Sequence, residues 1–155
     1  MYWTQEFERL LPLLGHRNWI LVVDKAYPYQ SAPGITYLDT KAPLIDVLER
    51  VLTDLQKAIH VKPTFYTDQE LSFISENMVS GIDDFRAELQ KRLAGANVQT
   101  LLHDSVFKKL DEASKLFQVA VLKTECTIPY SSVFIQLECG YWTAEKEQAL
   151  REKMR

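Results

Sequence analysis

The stretch LGHRNWILVVDKAYP, Leu14 to Pro28, decides how the chain is read. Its centre, Trp19 to Val23, is apolar at every position. A strand with one wet face alternates apolar and polar residues, so an unbroken run implies helices on both faces and predicts a central parallel strand. Asp24 is the first polar residue beyond the run, and His16 precedes it behind Gly15. In open α/β sheets, ligands collect beyond the carboxyl ends of the strands. A carboxylate there has a fixed backbone and a side chain free for acid–base work. It serves equally well as an acceptor for the turn amides of Lys25 to Tyr27. One rigid strand cannot bring His16 and Asp24 together unless the turn at Gly15 folds the imidazole back or a neighbouring subunit supplies it. As a lone loop histidine, His16 also fits a structural or solvated role.

Outward from this strand, helical and strand-like segments alternate. Thr4, Phe7, Leu10, Leu11 and Leu14 have the spacing of a helical stripe, distorted at Pro12 and stopped by Gly15. After the proline- and glycine-bearing loop DKAYPYQSAPG comes the strand-like ITYL. Asp39 or Thr40 is expected to cap a helix with Pro43 in its first turn and a buried stripe from Leu44 to Leu55. HVKPTFY reads as a weaker strand because Pro63 lacks a donor, and residues 67–80 are ambiguous. Asp83 or Asp84 begins a helix ending near Gly95, NVQTLL is a short strand, and Asp104 or Ser105 caps a helix running to about Lys115. FQVAVLKT and SSVFIQLE are strands joined by a turn, and Thr143 opens a charged terminal helix. The expectation is an α/β fold in which residues 1–155 form a single-domain layered sheet with helices on both faces.

Composition bounds the function. The chain has 155 residues, 46% of them hydrophobic and 25% charged, enough for one core without staples. A net charge of −3, with scattered lysines and arginines, argues against nucleic acid. The amino terminus lacks a signal-peptide pattern and no apolar run approaches membrane-spanning length, so a cytoplasmic protein with no membrane partner is expected. Cys126 and Cys139 match no metal pattern and read as thiols. There is no glycine-rich phosphate loop, GxSxG elbow, HExxH or CxxC, which disfavours nucleotide, hydrolase and metal chemistry.

The carboxyl-terminal third adds candidate ligands. His103 precedes a helix start and Lys108 falls inside that helix, while Glu125, Tyr130 and Ser132 cluster around a turn between strands. Imidazole, ammonium, phenol and hydroxyl groups are common partners of sugar hydroxyls. Each also has a plain structural use: a cap, a solvated cation, a surface carboxylate, a turn packer.

LGHRNWILVVDKAYP resembles the Gly-His, apolar strand, Asp, Pro signature of the ribose pyranase and fucose mutarotase family, the RbsD/FucU-like proteins. LLHDSVFKKLDEASKLFQVAVLKTECTIPYSSVFIQLECGY is similar to that family's carboxyl-terminal block, in which a histidine precedes a Phe-Lys helix, a strand, a Gly-Glu pair and a Tyr-x-Asn turn. The resemblance implies an RbsD-like fold and a cofactor-free isomerase that interconverts anomers or ring forms of a ribose- or fucose-like monosaccharide by acid–base ring opening. It implies a homo-oligomeric ring, a pentamer or decamer, with the site near a subunit boundary. It assigns His16 as acid–base catalyst, Asp24 as its partner or a hydroxyl acceptor, and His103, Lys108, Tyr130 and Ser132 as sugar ligands, with no metal. The sequence departs from the pattern at Thr124, at the extra residue in TIPY, at the extra residue between His103 and Phe107-Lys108, and at Ser132. These departures raise the alternative of a catalytically silent sugar-binding or oligomeric interaction module of the same fold.

Overall fold

The computed structural model describes residues 2–155. Its six strands are β1 (Trp19–Val23), β2 (Ile35–Asp39), β3 (Val61–Asp68), β4 (Val98–Leu101), β5 (Val119–Lys123) and β6 (Val133–Cys139). The helices are α1 (Trp3–Leu10), α2 (Leu44–Lys57), α3 (Ile82–Arg92), α4 (His103–Leu116) and α5 (Ala144–Lys153). The strands form one sheet in the order β2-β5-β1-β6-β3-β4.

β1 is central and fully buried, as its composition requires. It pairs in parallel with β5 but antiparallel with β6, so the expected parallel setting holds on one side only. β6 alone runs backwards: β3 is antiparallel to β6 and therefore points the same way as β1, as do β2, β4 and β5. Consecutive connections lead from β1 toward the β2 edge and from β3 toward the β4 edge. The space between the carboxyl ends of β1 and β3, where β6 begins, is thus a topological switch point, the usual place for a ligand in an open sheet.

Alternation along the strands sorts side chains into two cores. Ile20, Val22, Ala120, Leu122, Ile135 and Leu137 pack with Phe7 of α1, Leu44 to Leu55 of α2 and Ile82, Phe85 and Leu89 of α3. Trp19, Leu21, Val23, Val121 and Phe134 face the other way, onto Val106 and Leu110 of α4. Helices therefore cover both faces, three on one and α4 on the other.

Several element boundaries depart from expectation for local reasons. Pro12 ends α1 early, and the chain continues as a tight turn over Leu11–Leu13. β3 tolerates Pro63 because β4 joins it only from Phe65, whose N–H donates to the Asn97 carbonyl. Two residues earlier, the missing donor faces the side that has no neighbouring strand. Thr40 does not cap α2; its hydroxyl donates to the Lys123 carbonyl, Asp39 ends β2, and Pro43 precedes the helix. α3 starts at Ile82 behind Gly81, whose φ is 90°, and the Glu76 carboxylate accepts from the Gly81 and Asp83 amides. Asp83 and Asp84 are first-turn residues, not caps. Likewise α4 begins at His103, ahead of Asp104 and Ser105, and its amide is taken by Glu70 at 3.0 Å. In both helices a carboxylate from outside the helix supplies the cap that the local sequence lacks. Thr143 caps α5 as expected, accepting from the Lys146 amide.

Candidate functional site

At the end of β1 the Asp24 side chain turns to Ser132, the residue before β6. Ser132 Oγ donates to Asp24 Oδ1 at 2.7 Å and accepts from the Asp24 amide at 3.1 Å. This reciprocal clamp joins the end of β1 to the start of its antiparallel neighbour. It leaves Asp24 Oδ2 with no hydrogen-bond partner among the described residues.

β3 ends in a second aspartate. Asp68 has only 1% of its side chain exposed, and its Oδ2 lies 2.7 Å from His103 Nδ1. The chain then turns through residues 69–73, which brings Glu70 onto the His103 amide. One strand end and its following turn thus hold His103 at two points, ring and backbone. Burial pushes the Asp68 carboxyl above its ordinary pKa; Glu70 and Asp24 push in the same direction, while the hydrogen bond and charge of His103 oppose it. Asp68 Oδ1 is buried with no hydrogen-bond partner among the described residues.

Aromatic groups frame the imidazole. Phe107, one helical turn after His103, has its ring centroid 4.6 Å away, and Tyr130 stands edge-on at 5.4 Å and 86°. Tyr27 stacks on Phe107 at 5.7 Å and donates its hydroxyl to Gln30. Tyr130 holds a φ of 59°, a left-handed conformation that costs a non-glycine residue about 1–2 kcal/mol. Such strain recurs where a side chain must be aimed. Together Asp24, Tyr27, His103, Phe107 and Tyr130, with Pro28 and Pro129, line a cavity of about 320 Å³. Its size suits a small molecule. Aromatic and proline walls supply apolar faces, while Asp24 and His103 supply an acceptor and a proton-transfer group.

Of the six residues that the resemblance assigns to a site, the fold therefore brings four together: Asp24, His103, Tyr130 and Ser132. His16 is exposed in the turn before β1, at the opposite end of that strand from Asp24. Lys108 is exposed on α4 and does not line the cavity. The extra residue before Phe107-Lys108 explains this: four residues after His103 is only about 40° around the helix, whereas five is about 140°. Phe107 takes the wall and Lys108 turns away. Lys25 and Glu125 form an exposed 3.0 Å ion pair near the rim.

Sequence reasoning missed Asp68, Glu70, Tyr27 and Phe107. Asp68 was detectable by the logic that found Asp24, a first acidic residue after a strand, but Pro63 hid how far β3 runs. Glu70 had no local signal, since its partner amide is 33 residues away.

Neither a family model nor a curated protein matches the sequence. Solved structures do. Bacillus subtilis RbsD complexed with D-ribose superposes with a TM-score of 0.62 at 19% identity, over 89% of this chain and 93% of that one. FucU from Bifidobacterium longum gives 0.59 at 12% identity, over 90% and 96%. The chain has the RbsD/FucU fold. A third RbsD/FucU-fold structure, the fucose mutarotase from Streptococcus pneumoniae in complex with L-fucose, gives 0.56 at 15% identity over 89% and 93%. At these identities the likeness establishes architecture, so the chemistry must be argued from this chain's own residues.

Proposed function

We propose that this protein is an isomerase that interconverts anomers or ring forms of a free, ribose- or fucose-like monosaccharide in the cavity between Asp24, His103 and Tyr130. The observation that carries this reading is the meeting of an imidazole and a carboxylate with an unengaged oxygen in one aromatic-walled cavity, at the switch point of the sheet. The wall rings suit the C–H faces of a sugar, and Asp24 Oδ2 suits its hydroxyls. Proton transfer alone balances the reaction, so it requires neither metal nor nucleotide. One group takes the anomeric hydroxyl proton, another protonates the ring oxygen, and the open aldehyde closes on its other face or through another hydroxyl. Tyr130 completes the sugar contacts, and Ser132, buried and clamped to Asp24, acts through that carboxylate. His16 and Lys108 join the reading through assembly: in a homo-oligomeric ring, pentamer or decamer, a neighbouring copy would bring its His16 to the cavity mouth as the second acid–base group, with Lys108 at the rim.

The second reading, a silent binding or interaction module, draws on the clamp between Ser132 and Asp24, which satisfies one carboxylate oxygen inside the protein. Magnetisation-transfer NMR over a panel of free sugars separates the two. Saturation carried between anomers or ring forms of at least one pentose or deoxyhexose supports the isomerase. Catalysed exchange of none would establish the silent module.

A further inference from the structure

We infer that Asp68 is the positioning residue of His103, holding its hydrogen on Nδ1 so that Nε2 faces the sugar as a base. This deepens the isomerase reading and rests on it. The geometry is that of an oriented base: an almost fully buried carboxylate 2.7 Å from Nδ1, a ring packed by Phe107 and Tyr130, and an Nε2 with no hydrogen-bond partner among the described residues, in a residue that lines the cavity. An ionised carboxylate can only accept, so it selects the tautomer with hydrogen on Nδ1 and leaves the lone pair on Nε2.

The arrangement is costly to the fold unless it is used. Asp68 is withdrawn from water, its Oδ1 is unpaired among the described residues, and the charges of Glu70 and Asp24 both act against its ionisation. Only the imidazole pulls the other way. An imidazolium formed during turnover would meet a carboxylate already in place, with no solvent to rearrange. In ring opening, the anomeric O–H proton passes to His103 Nε2 and its electron pair forms the carbonyl. The bond from the anomeric carbon to the ring oxygen breaks with its pair going to that oxygen, which takes a proton from the second acid, His16 of the neighbouring copy. Closure returns both protons.

The test uses the full chain, its ring-nitrogen NMR spectrum and sugar exchange. Folded wild type should show His103 as the Nδ1–H tautomer, a readout that needs no activity. Asp68→Asn should lose that preference and lower kcat for exchange roughly 10²-fold or more with KM changed less than about threefold, as expected when an orienting carboxylate becomes an amide. Asp68→Glu should recover part of the kcat. Wild-type His103 found as the Nε2–H tautomer overturns the inference whether or not Asp68→Asn folds. So does an exchanging wild type whose rate survives Asp68→Asn, and that result leaves the isomerase reading intact. A wild type that exchanges no sugar removes the isomerase reading and the proton-transfer role with it.

Discussion

At the amino end of β1, the hydrogen bonds around His16 serve the backbone. The Gly15 amide donates to Asn18 Oδ1, Asn18 Nδ2 donates to the Gln118 carbonyl, and the Arg17 amide donates to Leu137. At the carboxyl end, Asp24, Asp68, Glu70 and His103 converge, and among the described residues one buried oxygen there, Asp68 Oδ1, goes unpaired. The first end is what a fold needs to close a turn. The second keeps an acceptor that a fold selected for stability alone would satisfy or replace with an apolar group. The difference separates residues that hold the sheet from residues that the sheet holds.

The sharpest way to break this contrast is to remove each histidine. His103→Ala should slow catalysed sugar exchange by roughly 10²- to 10⁴-fold, the usual contribution of a positioned acid–base group. His16→Ala should match it only in the assembled protein. An equal loss in a species that sedimentation shows to be monomeric would contradict the single-chain geometry, which keeps His16 at the far end of β1.

A second contrast is in stability. The folded pKa of Asp68 lies above its ordinary value, so the folded state retains a proton that the unfolded chain releases. Stability from this source is complete below the ordinary carboxylate range and is lost as pH rises through the raised value. Asp68→Asn removes that loss. The stability of Asp68→Asn relative to wild type, followed by thermal melting, should therefore climb from about pH 4 to pH 7, reaching a free-energy gain on the order of 1–2 kcal/mol. A variant that is more stable yet slower in exchange would mark Asp68 as a group that the fold carries for chemistry. A pH-independent difference in melting would show that the carboxyl titrates alike in folded and unfolded chains.

Smaller effects concern the clamp. Ser132→Ala deletes both bonds to Asp24 and should destabilise the protein by about 1 kcal/mol, measurable by urea titration. Ser132→Asn should raise the exchange rate or change which sugar exchanges fastest, if the short hydroxyl rather than a carboxamide limits the present site. An unchanged rate and preference would show that Ser132 acts only as a clamp.

The sequence made the sheet legible where burial alone dictates composition. β1 could be read residue for residue because both of its faces are covered, and α2 because its stripe is continuous. Capping was legible at Thr143, where donor and acceptor are three residues apart, and illegible at α3 and α4, where Glu76 and Glu70 act from outside the helix. The site divided along the same line. That Asp24, His103, Tyr130 and Ser132 lie together was legible from motif and strand ends. Asp68 was hidden by a proline that proved harmless once the order of strand pairing was known. Lys108 falls outside the cavity of the single chain because a one-residue insertion is slight in sequence but large in helical angle.

α5 contributes no buried residue to either core. It is held by the Thr143 cap, by the Trp142 indole donating to Glu147, and by the Arg151–Glu147 pair. A ten-residue helix with such support is marginal in water. Its amides should exchange with solvent deuterium far faster than those of β1, through local fraying that leaves the sheet untouched. Thr143→Ala should speed this further by the equivalent of roughly 1 kcal/mol. Protection that instead rises with protein concentration would mean that a second copy lies against this helix, which makes the deuterium uptake of α5 a direct gauge of assembly.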